Sequence, residues 1–308
     1  MAIKTIAVFL DGSDASTARL DYAIRVAEAC GAHLSAVALA RQIDIGVYAV
    51  PGAEMAVDLA QIDESRARAK ALAEAAGERL KAAGISHETR WASTIAAGIE
   101  ETAARAARHA DLSICGPTGG GTPEDETAEA ALEGALFEGG RPVLIVPKDW
   151  TGESFGARVM VCWDASRVAA RAIGDALPLL ATAETTVVTI VDPTPGEGGF
   201  GEEPGADIAA MIARHGAQVE VRRISSEGGS TAERLAQAAT DGDHDMMVMG
   251  GYGHSRLREA TQQATTTPSA YREMDTEELE VVRSSSAELS EVVTMGSHLE
   301  FEIEKERS

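Results

Sequence analysis

Short apolar runs recur along this chain, separated by stretches in which apolar residues return every three or four positions. The first run, Ile6 to Leu10, closes on Asp11-Gly12-Ser13. Consecutive apolar residues without polar alternation predict a strand buried on both faces, the habit of parallel sheets. About 150 residues later the phrase returns: Arg158-Val159-Met160-Val161-Cys162-Trp163 closes on Asp164-Ala165-Ser166. A helical pattern follows each run. Leu20, Ile24 and Ala27 share one face in the first copy, and Ile173, Leu177 and Leu180 do so in the second. Gly31 is positioned as a helix stop.

The remaining elements come in matching order. Second strands are predicted at His33–Leu39 and Thr185–Val191. A long helix with Leu72, Ala76 and Leu80 on one face precedes a third strand, His87–Trp91, and Ile95, Ile99 and Ala106 mark the next helix. In the second copy the third strand is Gln218–Ile224, and Ser230 with Glu233 forms a capping-box pattern before Leu235. The fourth strands match closely, Ala110-Asp111-Leu112-Ser113-Ile114-Cys115-Gly116 against His244-Asp245-Met246-Met247-Val248-Met249-Gly250. The first copy alone adds a fifth strand, Arg141–Pro147. Each copy therefore reads β-α-β-α-β-α-β, with a further α-β in the first. This predicts an α/β protein of two tandem doubly wound parallel sheets, the second lacking a clear fifth strand. With a boundary near Lys148–Gly156, the units span 1–150 and 157–259, and an atypical acidic tail spans 260–308. The glycine-rich stretches Gly116–Gly121 and Gly196–Gly205 are read as loops, the second, with Pro193, Pro195 and Pro204, as a mobile one.

The Asp-small-Ser strand ends, the Asp-led fourth strands ending in Gly, Arg-Pro-Val-Leu-Ile-Val-Pro, and Gly250-Gly251-Tyr252-Gly253-His254-Ser255-Arg256 together resemble the universal stress protein family. The resemblance covers about residues 3–259 and is closest to members that carry two units in one chain. It implies a Rossmann-like five-stranded parallel sheet per unit, often in order 3-2-1-4-5. It also implies ATP, with Mg²⁺, as the cofactor of those members that bind nucleotide; others bind none. In the binders a G-x-x-G-(nine residues)-G-[ST] motif holds phosphates through backbone amides and a helix N-terminus. Gly250 and Gly253 supply the opening here, but Gln263 and Ala264 stand where Gly and Ser or Thr are required. In the first copy Gly116 and Gly119 are followed by Glu129 and Ala130 at the matching point, and Glu124, Asp125 and Glu126 would repel a triphosphate. The tail departs further. It carries 11 acidic against 4 basic residues, with short strand candidates only at Leu279–Val282 and Leu299–Ile303, and is expected to be flexible or loosely helical.

Composition narrows the function classes. The formal net charge of −22 opposes a nucleic-acid backbone, so direct DNA or RNA binding is not expected. No run of about 18 apolar residues is present, so no membrane span is expected. Met1–Thr5 lacks the charged head and apolar stretch of a secretion signal, and a cytoplasmic location is expected. With 4% aromatics the core must be built mainly from Ala, Val, Leu and Ile. Cys30, Cys115 and Cys162 form no CxxC pair and read as small buried hydrophobes in a reducing compartment; no metal site is expected.

Candidate site residues lie at the carboxyl ends of strands, where open α/β sheets place ligands. Asp11 and Asp164 either contact the nucleoside part of a ligand, as the resemblance implies, or cap the following turn. Ser13 and Ser166 carry the same two readings. Gly250, Gly253 and Ser255 form either a phosphate loop or a plain turn. Ile190 would by resemblance lie against an adenine, or is simply core. His254 reads as a solvent-facing loop residue and Trp163 as core packing. Three functions follow: a stress-response regulatory or binding protein with weak adenine-nucleotide binding, an interaction module that takes no nucleotide, or an α/β nucleotide hydrolase. No Walker loop, dinucleotide fingerprint or ligand cluster supports the last, and no catalytic residue is assigned. Partners are expected to be unidentified proteins, with a homodimer or an intramolecular pseudo-dimer as the assembly.

Overall fold

The computed structural model describes residues 2–42, 59–150, 155–196, 199–251 and the backbone of 292–295. The first unit runs β1 (Thr5–Leu10), α1 (Asp14–Cys30), β2 (His33–Arg41), α2 (Leu59–Ala83), β3 (His87–Thr94), α3 (Ala96–Arg108), β4 (Leu112–Cys115), α4 (Pro123–Glu133), a π-helical turn (Gly134–Glu138) and β5 (Val143–Ile145). The second runs β6 (Arg158–Cys162), α5 (Arg167–Leu180), β7 (Thr185–Val191), α6 (Ala206–Arg214), β8 (Val219–Ile224), α7 (Thr231–Asp241) and β9 (Met246–Gly250). A short strand, β10 (Val292–Met295), follows.

The repeat predicted from the apolar runs is the repeat found. β1 pairs in parallel with β2 and β4, and β6 pairs in parallel with β7 and β9. Strand order is β3-β2-β1-β4-β5 in the first unit and, read from the far edge, β8-β7-β6-β9 in the second. Five and four parallel strands are thus contributed by the two β-α alternations. β10 lies between them, parallel to β9 and antiparallel to β5, and makes one ten-stranded sheet. That strand is a correction to the expected flexible or loosely helical tail. Its Val-Val-Thr sequence suits a strand, and β5 and β9 each offer it an edge of unpaired backbone groups. The two strand candidates proposed in the tail lie outside the described residues.

Alternate strand residues feed opposite faces of the sheet. Ile6, Val8 and Leu10 join Leu20, Ala23 and Val26 of α1 and Leu80 of α2 on one face, together with Val159, Val161 and Ile173 of the second unit. Ala7 and Phe9 meet Ile99 and Ala103 of α3 and Leu132 of α4 on the other. Met160 meets Leu235 and Ala239 of α7. Between the units, Trp150 and Phe155 pack edge-on against Tyr22 of α1, with ring centroids 5.0 and 5.6 Å away. Trp163 packs partly buried against the same core, as expected.

Local capping explains most helix ends, with two corrections. Gly31 closes α1 in the left-handed conformation, as placed. Ser230 is the N-cap of α7, but its side chain makes no capping bond, so the predicted capping box does not form. Ile95 is the N-cap of α3 and is 41% exposed, because the helix face begins only at Ile99. A feature shared by both units is the Asp that opens the fourth strand. The Asp111 carboxylate accepts the N–H groups of Lys4 (2.8 Å) and Thr5 (3.0 Å). Asp245 accepts those of Ala157 (2.9 Å) and Arg158 (2.8 Å) in the same way. Each Asp therefore ties the start of its fourth strand to the start of the first. The loop after β7 is fastened rather than free at its far end: Arg223 donates to Pro204 O and pairs with Glu203.

Candidate functional site

Strand order reverses between β1 and β4, and again between β6 and β9. At such a switch point the two following loops part and leave a crevice at the carboxyl edge. Asp11 and Ser13 stand at the first crevice, and Asp164, Ser166 and Gly250 at the second. Gly253, Ser255 and His254 lie outside the described residues.

In the first unit the turn is knitted shut. Gly12 takes a left-handed φ of +89°, which turns the chain from β1 into α1. Ser13 is the N-cap: its hydroxyl accepts the Ser16 N–H at 3.1 Å and donates to Asp11 Oδ1, which also accepts the Ser13 N–H at 2.9 Å. The second carboxylate oxygen of Asp11 accepts from Arg19 Nη1 at 2.8 Å, and the same nitrogen donates to Phe9 O at 2.6 Å. Both side chains of this ion pair are 3% exposed. The guanidinium lies directly against Gly116 at the end of β4, where any side chain would overlap it. Between Phe9, Leu39, Arg19, Gly116 and Thr127 no room is left even for a water molecule. Sequence reasoning missed Arg19. The available signal was its place on the apolar face of α1, in helical step with Ser16, Ala23 and Ala27.

The second crevice has the same backbone and different contents. Ala165 takes a left-handed φ of +60° where the first unit has glycine. Asp164 Oδ1 accepts the Ser166 N–H at 2.9 Å, and Ser166 caps α5 by accepting the Ala169 N–H at 3.1 Å. Eight residues after Asp164, at the place of Arg19, is Ala172, fully buried in the core. Asp164 is accordingly exposed. Gly250 brings the end of β9 against the first turn of α5; a Cβ there would sit 2.9 Å from the Ala169 nitrogen. The backbone of Gly199 comes over the Asp164–Ser166 turn, since a Cβ on it would lie 3.3 Å from that of Ala165. Ile190 is buried in the core, with Gly205 close against its Cδ1.

This arrangement offers two kinds of contact. Asp164 can accept hydrogen bonds from hydroxyl or amino groups. The N-terminus of α5 carries a partial positive charge and begins with the exposed Arg167, which suits an anion. The thiol beside it is inert at neutral pH: burial, and then the charge of Asp164, push the Cys162 pKa up. Burial likewise pushes the Cys115 thiol to about 12, partly offset by Arg19. Among the described residues no group of three or more His, Cys, Asp or Glu is placed to hold a metal ion, and no helix is long and apolar enough to cross a membrane.

Comparison with known proteins agrees with this geometry. Residues 157–266 match the model of the universal stress protein family. The fold is similar to that of a universal stress protein from Archaeoglobus fulgidus DSM 4304, at 15% identity over 94% of this chain and 95% of that one, with a TM-score of 0.66. A similar likeness holds for a universal stress protein, described as such provisionally, from Pseudomonas aeruginosa UCBPP-PA14, at 15% identity over 96% and 93% of the two chains, with a TM-score of 0.51. No curated protein matches the sequence.

Proposed function

Because residues 157–266 match the model of the universal stress protein family, and the fold is similar to that of a two-unit chain of such proteins, we propose that this is a stress-response binding protein whose second unit takes an adenine nucleotide weakly. The observation that carries the reading is the contrast between the crevices. Asp11 is consumed by Arg19, whereas Asp164 is exposed beside a capped helix N-terminus and has alanine in place of the arginine. In the proposed complex Asp164 accepts from the nucleoside hydroxyls or base. The N–H groups at the start of α5, with Arg167, face the phosphates, and Mg²⁺ offsets the negative field of the chain. Binding without turnover is part of the proposal, as are protein partners and a cytoplasmic location.

The weakness follows from Gln263 and Ala264, which replace the Gly and Ser or Thr of the full motif. A Kd between about 1 mM and tens of micromolar, roughly −4 to −6 kcal/mol, is expected. Calorimetric titration of ATP with and without Mg²⁺ tests this: saturable heat that disappears in Asp164→Ala is expected. No heat at millimolar ATP would instead favour the second reading, an interaction module without a nucleotide, which the same two replacements support. Phosphate release from ATP at a steady rate would overturn the binding-only reading in favour of a hydrolase.

A further inference from the structure

We infer that the first unit is a self-filled copy of the binding crevice, its own Arg19 and Asp125 occupying the places a ligand would take, so that one chain binds one nucleotide. The stoichiometry rests on the reading of the second unit given above; the filling of the first does not.

Two groups of the chain's own stand at the carboxyl ends of the strands that flank the first crevice, Arg19 after β1 and Asp125 beyond β4. Arg19 stands at the end of β1, 98% buried, bonded to Asp11 and Phe9 O, with its Nε buried without a hydrogen-bond partner among the described residues. Asp125 enters at the loop after β4. This loop, Gly116–Gly121, leads into the N-terminus of α4, and glycine-rich turns into helix N-termini are natural anion sites. An anion is already there. Gly120 has a φ of +128°, and any side chain on it would overlap the Asp125 carboxylate. Asp125 Oδ2 accepts the Thr122 N–H at 3.2 Å, and Thr122 Oγ1 accepts the Asp125 N–H at 3.1 Å. Lys148 supplies the counter-charge: its Nζ donates to Gly119 O at 2.9 Å and pairs with Asp125 Oδ1.

The internal anion is stable as one. Burial alone would raise the Asp125 carboxyl, but the bonds from Lys148 and Thr122 outweigh it and hold the pKa below the usual carboxylate range. An incoming phosphate would have to displace Asp125 from Lys148 against the added charge of Glu124, while Glu126 is paired with Arg41. Glu129 and Ala130, where the phosphate motif would need Gly and Ser or Thr, lie inside α4. The loop is thus closed by helix continuation as well as by charge.

Two measurements on the full chain test the inference. Calorimetry with ATP and Mg²⁺ is expected to give one site per chain; two sites per chain overturn it. Separately, Asp125→Ser clears the carboxylate from Gly120 and frees Lys148. At low salt this variant is expected to bind inorganic pyrophosphate at least ten-fold more tightly than the parent chain, and Asp125→Ser with Lys148→Met is expected to lose that gain. Circular dichroism checks that the variant is folded. Should it not fold, Asp125→Asn keeps the capping geometry, drops the charge, and is expected to show a smaller gain. No gain in a folded variant overturns the inference. If the parent chain binds no ATP, the reading of the second unit falls, and the pyrophosphate comparison alone decides on the first.

Discussion

Replacing Asp11 by Asn leaves Arg19 as a buried cation without its partner. The pair is made at 2.8 Å with both side chains 3% exposed, so solvent screens it little. Arg19 keeps its bond to Phe9 O, but among the described residues it pairs with no other anion and its Nε has no partner. Breaking one side of a buried pair costs about 3–5 kcal/mol, whereas replacing both partners by neutral groups of similar volume is close to neutral. Asp11→Asn is therefore expected to lower stability by about 3–5 kcal/mol, and Asp11→Asn with Arg19→Met by much less. A loss of 1 kcal/mol moves Tm by about 2–4 °C at this domain size, so the single variant should melt roughly 6–20 °C lower. Urea unfolding of parent, both singles and the double closes the cycle. Two probes should be used, because two packed units need not unfold as one. The reasoning is refuted if Asp11→Asn stays within about 1 kcal/mol of the parent, or if the cycle shows no coupling.

Three further outcomes follow from the same geometry. Asp111→Asn and Asp245→Asn each remove a carboxylate that accepts two backbone N–H groups, and each should cost about 1–3 kcal/mol. Faster hydrogen exchange at Thr5 and Arg158 checks this, and unchanged exchange speaks against it. His244 is buried, and burial lowers its pKa, outweighing a hydrogen bond with the Arg158 backbone that raises it. A lowered histidine pKa means that the unfolded chain binds more protons, so stability is complete above about pH 6.5 and declines as the pH falls below it. His244→Leu should flatten that decline between pH 5 and 7, and an unaltered slope would show that other groups cause it. Ala165, held at φ +60°, should accept glycine with a gain of up to about 1 kcal/mol, while Gly12→Ala should lose about 1 kcal/mol. Opposite signs in thermal melts would contradict the assigned turn.

How much was legible depended on whether a signal was local. β7 runs over Thr185–Val191 as the apolar run alone predicts, and β1 differs from its run only by Thr5. β3 extends three residues past Trp91, to Thr94, because pairing with β2 carries a polar stretch that has no strand pattern of its own. For Ser13 and Ser166 the local phrase leaves ligand contact and capping open, and in the structure both cap. Asp11 and Asp164 looked alike in their local phrases, yet one is consumed and the other exposed. The difference lies eight residues downstream, on a helix whose buried face is known only once it packs. Ser230 and Glu233 carried the letters of a capping box without forming one. β10 drew no notice because four residues in an acidic tail become a strand only where two sheet edges meet them.

By itself the sequence determined the repeat, the alternation of strand and helix, the buried character of the central strands and the likeness to a known family. These depend on periodicity and turn chemistry, which act over a few residues and survive without a partner. Only the tertiary structure decided which crevice is open. Whether a carboxylate is free or neutralised is a matter of what approaches it through space, and Arg19, Asp125 and Lys148 reach the first crevice from three separate parts of the chain. Two copies with nearly the same local chemistry thereby acquired one neutralised and one exposed carboxylate.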